Sequence, residues 1–170
     1  MYVITYIKNI IFIYIIFYLR LIKSDKFISK EDVLKIKDEY YIRFYCKDDI
    51  CSRVDRSINK YFMEFPSINN NTTTYIVYTC TYDNIEFNRC YNDTYIGNEK
   101  YSLKCNNDLE CLSNECYKNH CMFNDKTPIV HCDDIYSNKW YLRPSSYMHC
   151  GKPPGDICIE NDECSSMSCA

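Results

Sequence analysis

Leucine, isoleucine, valine and phenylalanine are sparse from residue 95 onward. So few apolar side chains exclude a C-terminal part held by burial alone, and another constraint must hold it. A basic run is also missing. Beyond residue 24 the chain carries 17 basic against 23 acidic residues, which argues against nucleic acid as a partner. No ligand pairs stand at C-x2-C or H-x3-H spacing, so the sequence offers no zinc site. Glycine is scarce as well, with three in 170 residues. Together with the abundance of Asn, Ile, Tyr and Lys, this reads as codon bias and carries little functional meaning.

What the chain has instead is thirteen cysteines. That density is rare in a reducing cytosol and points to the secretory route, with disulfides as the constraint that burial cannot supply. The N-terminus agrees. Lys8, Arg20 and Lys23 are the only charges in residues 1–24, and Ile10 to Leu19 is an unbroken apolar run of ten. A spanning helix needs roughly 20 apolar residues. Residues 1–24 are therefore expected to be a signal peptide, with an uncleaved signal-anchor as the alternative because no A-x-A site precedes Asp25.

Local patterning after the signal predicts a small α+β unit over 26–92. Ser29 and Asp32 cap a helix over 29–40 whose face is Val33, Ile36 and Tyr40. YYIRFYC, residues 40–46, alternates like a strand with Ile42, Phe44 and Cys46 on one side. Val54, Ile58, Tyr61, Phe62 and Phe65 follow helical spacing and predict a second helix over 52–64. Thr72 to Tyr82 is β-branched and aromatic and predicts a strand, with a turn at Asp83 and Asn84 folding it against IEFNRC as a hairpin. Cys46, Cys51, Cys80 and Cys90 would stitch this unit. Sequons at Asn70, Asn71 and Asn92 mark candidate glycosylation sites, of which the adjacent Asn70 and Asn71 would carry one glycan at most.

A first cysteine-rich module is read over 93–124. Cys105, Cys111, Cys116 and Cys121 are separated by five, four and four residues. Four cysteines allow three connectivities; Cys105 with Cys116 and Cys111 with Cys121 is favoured, since interlocked loops constrain the segment most. Each bridge contributes on the order of 3 kcal/mol. Asn106, Asn107 and Asp108 are turn formers before the second cysteine. Residues 125–150 read as a connecting loop closed by Cys132 and Cys150. Over 151–170 the spacing begins again at Cys158, Cys164 and Cys169, but a fourth cysteine would fall beyond Ala170. The odd total therefore suggests a truncated second module in which Cys164 lacks its partner; a free or intermolecular thiol is the alternative. The expected fold class is a small α+β N-terminal unit followed by disulfide-rich, mostly irregular modules with short β-hairpins.

No catalytic or metal-binding constellation emerges, and no cofactor is expected. His120, His131 and His149 each directly precede a cysteine. A Cys and His nucleophile pair oriented by Asp133 or Asp134 would need a free thiol and an oxyanion hole, and neither is recognisable. The oxygen-rich run Glu160 to Glu163 is read as solvated turn residues rather than a calcium site. Trp140 and Tyr141, with Tyr136 and Tyr147 nearby, form a candidate binding platform for a sugar or a protein.

At the paired modules the sequence resembles the Dickkopf N-terminal-like cysteine-rich repeats. It is more closely similar to a group of secreted or surface cysteine-rich proteins of anaerobic fungi. The matching residues are Cys105 to Cys121, Pro128 to Asp134 and Ser146 to Cys169. Members of that group have no assigned activity, so the resemblance implies extracellular display. The expectation is a secreted or surface-displayed, non-enzymatic protein of extracellular recognition. A carbohydrate-binding or adhesion module and a secreted inhibitor, presenting the loop 139–146, are the alternatives. Its partner would be an extracellular protein or glycan, and a membrane would be reached only through a signal-anchor or a missing C-terminal segment.

Overall fold

The computed structural model describes residues 26–54, 61–67, 71–137 and 143–168. The expected signal segment, Asn70, Trp140, Tyr141 and Cys169 lie outside them. The described elements are β1 (Phe27–Ser29), α1 (Lys30–Lys35), β2 (Arg43–Lys47), β3 (Ile50–Arg53), β4 (Phe62–Pro66) and β5 (Thr72–Ile76). They continue with α2 (Tyr82–Glu86), β6 (Asp93–Ile96), β7 (Glu99–Ser102), β8 (Cys116–Tyr117), β9 (His120–Cys121), β10 (Val130–Ser137) and β11 (Ser145–Gly151). Short 3-10 turns occupy Asp108–Glu110 and Asn161–Glu163. The protein is thus built of small strands and few helices, stapled by disulfides, as the fold class anticipates.

The largest layer is a five-stranded antiparallel sheet in the order β1-β3-β2-β10-β11. Of its first three strands, β2 follows the alternation read over residues 40–46, and the cap of α1 follows its local signal too. Ser29 caps α1 by accepting the Asp32 N–H at 3.0 Å, although the helix ends at Lys35, well short of residue 40. Ile42, Phe44 and Cys46 are buried on one face. The last two strands differ from expectation. Residues 125–150 contain not an irregular loop but the hairpin β10–β11, whose inner strand pairs with β2. Asp133 and Asp134 interrupt its apolar alternation, yet both are compensated. Arg43 Nε donates to Asp133 at 3.0 Å, and the Asp134 carboxylate accepts the N–H groups of Tyr41 and Ile42 at 3.0 and 3.1 Å.

Two disulfides lie inside this sheet. Cys46–Cys51 and Cys132–Cys150 each join residues directly opposed on paired strands. Cys46 Sγ and Cys132 Sγ are 3.7 Å apart. Around them pack Val33 from α1, Ile42, Phe44 and Met148. A second small core forms on the hairpin β4–β5, where Met63, Phe65 and Val77 meet Leu112 and Ile129.

Two further expectations are corrected. The helix over 52–64 is absent at both described ends, since Ile50–Arg53 and Phe62–Pro66 are strands; residues 55–60 lie outside the description. Met63 and Phe65 are buried while Phe62 and Glu64 are only half-buried, so the tertiary pairing with β5 selects the period of two over the helical spacing. Nor does Asp83-Asn84 turn a hairpin. Thr81 accepts the Asn84 N–H through its hydroxyl at 3.3 Å and starts α2, which lies inside the loop closed by Cys80–Cys90 and buries Ile85.

Scarce glycine leaves its mark on the turns. Nine described non-glycine residues have positive φ, and six of them are Asn or Asp, the side chains that tolerate the left-handed region best. Asp48 and Asp49 join β2 to β3, and Lys118 and Asn119 join β8 to β9, each pair with both φ positive, as two-residue hairpin loops require.

The first module carries the interlocked bridges Cys105–Cys116 and Cys111–Cys121. Asn107 accepts the Leu109 N–H at 3.0 Å and Asp108 the Cys116 N–H at 2.8 Å, so the turn formers hold the loop from inside. The module does not stand alone. Leu112 N donates to Ile76 O at 2.9 Å, and the Leu112 side chain fills the second core. The second module repeats this docking, with Ser165 N donating to Lys152 O at 2.9 Å. Parallel bridges Ile76–Cys111 and Lys152–Cys164 complete the correspondence. In the second copy, however, Cys164 is bonded to Cys158, so the expectation that Cys164 lacks a partner is overturned.

Leu112 and Leu109 belong to the same module but differ in exposure, 4% against 77%. Leu112→Ala is expected to lower stability by about 2–5 kcal/mol, whereas Leu109→Ala should stay within about 0.5 kcal/mol. Denaturant unfolding of the disulfide-intact protein checks both.

Candidate functional site

The sheet face opposite the disulfide pair carries the row Ser52, Tyr45, His131 and Gly151, one residue from each of β3, β2, β10 and β11. Against it lies the second module. A Cβ at Gly151 would meet the backbone of Glu163, Cys164 and Ser165, with Cys164 C and Ser165 N at 2.8 Å, so only glycine permits this approach. Lys152 N donates to Glu163 O at 2.7 Å, and His149 Nε2 lies 2.9 Å from Asp162 O. Glu163 accepts the Ile159 N–H at 3.0 Å, which holds its carboxyl below the usual range. Within the oxygen-rich run, the Glu163 carboxylate is thus engaged in the turn, and the backbone carbonyls of Asp162 and Glu163 in docking.

Beside this seam opens a cleft of about 470 Å³. Its walls come from several separate parts of the chain. Arg43 and Tyr45 come from β2, His131 from β10, and Tyr61, Val77 and Tyr78 from the region of the β4–β5 hairpin. Thr79, Thr81 and Asn84 supply polar groups, and Phe123 with the turn Pro153 to Gly155 closes the rim. Tyr61 and Tyr78 meet edge to face, with centroids 5.6 Å apart and planes at 81°. Tyr78 continues outward to Tyr91 at 5.8 Å, and its hydroxyl accepts the Tyr91 N–H at 3.2 Å.

Two titratable groups here, His131 and Tyr45, are held neutral. The ring of His131, 3% exposed, packs against Tyr45 with centroids 4.7 Å apart and planes tilted by 59°, and its Nδ1 is hydrogen-bonded to Ser165 Oγ at 2.7 Å. Burial, aided by the Arg43 charge, pushes His131 down to about 4. Burial pushes Tyr45 up to about 12. Ser165 is fully buried, so the Ser165–His131 contact cannot present a nucleophile to a substrate; it is a docking bond. Desolvation also lowers His120, which sits beside Cys121 in the first module.

Comparison with protein-family models, curated proteins and solved structures finds no match to this chain. Its six disulfides among the described residues are characteristic of an extracellular, cysteine-rich protein. No helix among the described residues is long and apolar enough to cross a membrane.

The residues singled out in the sequence are distributed differently from expectation. Sulfur triads Cys46, Cys51, Cys132 and Cys105, Cys111, Cys121 are close enough to suggest metal ligation, but each sulfur is already in a disulfide. Cys132 is likewise bonded and cannot serve beside His131 as a nucleophile, while Asp133 and Asp134 are engaged by Arg43 and by backbone. Tyr136 and Tyr147 point to opposite faces of the β10–β11 hairpin and do not share one platform. Tyr136 instead meets Tyr40 edge to face at 5.8 Å. Asn71 and Asn92 are exposed. Sequence reasoning missed the cleft because its aromatic residues come from separate strands; the one local signal was the Tyr-rich run containing Tyr75 and Tyr78.

Two outcomes are expected. Between the folded value of about 4 and the ordinary 6.5 of an exposed histidine, the unfolded chain takes up a proton that buried His131 refuses. Stability is therefore full above about pH 6.5 and falls by about 3 kcal/mol as pH drops toward 4. His131→Gln should flatten that part of the profile in urea titrations between pH 4 and 7, leaving the smaller share owed to His120. Gly151→Ala should cost about 1–3 kcal/mol through overpacking. Hydrogen exchange should then quicken at the Ser165 amide first, since that bond is part of the seam.

Proposed function

We propose that this chain is a secreted or surface-displayed, non-enzymatic protein of extracellular recognition. The observation that carries this reading is the cleft, a cavity framed by disulfide-anchored elements and lined by aromatic faces, neutral hydrogen-bonding groups and the paired Arg43. Such a lining holds a ligand rather than attacking it. Anchored walls lose little conformational entropy when a partner is bound, so more of the contact energy appears as affinity. The resemblance to fungal surface proteins and the exposed sequons at Asn71 and Asn92 support the same compartment.

Expression of the full chain in a eukaryotic secretory host tests the compartment. The product should be recovered from the medium, lose mass on removal of N-glycans, and lose one glycan step in Asn92→Gln. It should resist protease until reduced. Retention in the cytosol with its thiols reduced would overturn the reading.

A further inference from the structure

We infer that the cleft between β2, the segment 77–81 and the Pro153 turn is a saccharide site, taking a short, neutral oligosaccharide. This rests on the recognition reading above and names the ligand class for the same cavity. The volume of about 470 Å³ lies within the range of roughly 300–1,000 Å³ usual for small-ligand sites.

Three observations select the class. The first is aromatic geometry. Tyr61 and Tyr78 stand at 81° to one another, so they form a corner with two differently directed ring faces. The electron-rich face of a phenol attracts polarised C–H groups, which line the flat side of a pyranose. The second is the polar lining. Thr79, Thr81 and Asn84 border the same cavity. Thr81 Oγ1 is already an acceptor for the Asn84 N–H, which leaves its O–H to donate, and the Asn84 side-chain amide both donates and accepts. Sugar hydroxyls need this mixture of donors and acceptors. The third is charge. The cleft's cation, Arg43, is paired with Asp133 at 3.0 Å, and no carboxylate is among the residues lining the cleft. An anionic ligand would meet no unbalanced positive charge.

A peptide fits less well. Adding a strand to the segment 77–81 would need its backbone donors, but Val77 N is given to Tyr61 O at 2.9 Å and Cys80 N to Cys121 O at 2.8 Å. Side-chain contacts would have to carry recognition instead, which favours a ligand rich in hydroxyls.

The test uses the full, disulfide-intact chain in calorimetric titrations with maltotriose, cellotriose, chitotriose and mannotriose, and with trigalacturonate as the acidic counterpart. At least one neutral trisaccharide should bind, more tightly than trigalacturonate. Tyr61→Ala and Tyr78→Ala should each weaken that binding by about three- to tenfold, and Asn84→Ala by a similar factor. Tyr78→Phe, which keeps the ring, should bind like the parent. Tyr95→Ala, on the β6–β7 hairpin, 69% exposed and not among the residues lining the cleft, should change nothing. Near-ultraviolet circular dichroism and a thiol count verify that each variant is folded. No binding of any neutral trisaccharide, a preference for trigalacturonate, or binding indifferent to both tyrosine substitutions would overturn the assignment. Capture from a peptide array that is lost in Tyr61→Ala would also overturn it while leaving recognition through the cleft intact. Failure of export in the secretory host would instead strike the compartment.

Discussion

Cys46 Sγ and Cys132 Sγ meet at 3.7 Å across β2 and β10, and the central sheet is organised around that contact. Each sulfur belongs to a bridge within its own hairpin, so neither disulfide covalently links the two halves of the sheet. The halves are joined by the β2–β10 ladder and by the packing of the two bridges beneath Val33, Phe44 and Met148. Half-cystines are small, apolar and already fixed in orientation. They build a dense centre from residues that would otherwise be too short to fill one, in a chain with few leucines to spare.

Once that sheet exists, the two modules need little of their own. Each is a short 3-10 turn between cysteines that docks through the N–H of the residue after its second cysteine, and through a parallel bridge, onto the last residue of a hairpin strand or the residue just beyond it, Ile76 or Lys152; the second copy adds the Lys152 N–H bond to Glu163 O. What differs is the residue following the second cysteine of the module. In the first copy Leu112 reaches an apolar core; in the second Ser165 reaches a buried histidine. The first seam is therefore held by burial, while the second is held by a neutral imidazole and a glycine-sized gap.

Much of this architecture was legible locally. The Ser29 cap, the alternation over 42–46, the β-branched run from Thr72 and the interlocked spacing of the first module all correspond to described elements. These are signals carried by neighbours in sequence. The pairing of β2 with β10 joins Cys46 and Cys132 across 86 residues and left no comparable trace, so β10–β11 read as a loop. The stretch around Phe62 contained both helical and alternating spacings, and only its partner β5 decides between them. The cleft was the least legible feature. Sequence clustering drew attention to Trp140 and Tyr141, whereas the described aromatic corner is assembled from Tyr61 and Tyr78, with Tyr45 behind.

The position of the cleft follows from the same constraints. It lies where three separately stapled pieces converge: the sheet fixed by Cys46–Cys51 and Cys132–Cys150, the segment leading into Cys80–Cys90, and the turn leading into Cys158–Cys164. Independent small cores cannot merge into one large core, because too little apolar surface connects them, and the space between is left as a cavity rather than filled. Its lining is mixed, with Val54, Val77 and Phe123 beside tyrosines, threonines and Asn84, whose polar groups can bond water in the absence of a ligand. A wall composed in that way is already suited to a ligand with both a ring face and hydroxyl groups. The cleft is thus a direct consequence of building a fold from small cores held by sulfur.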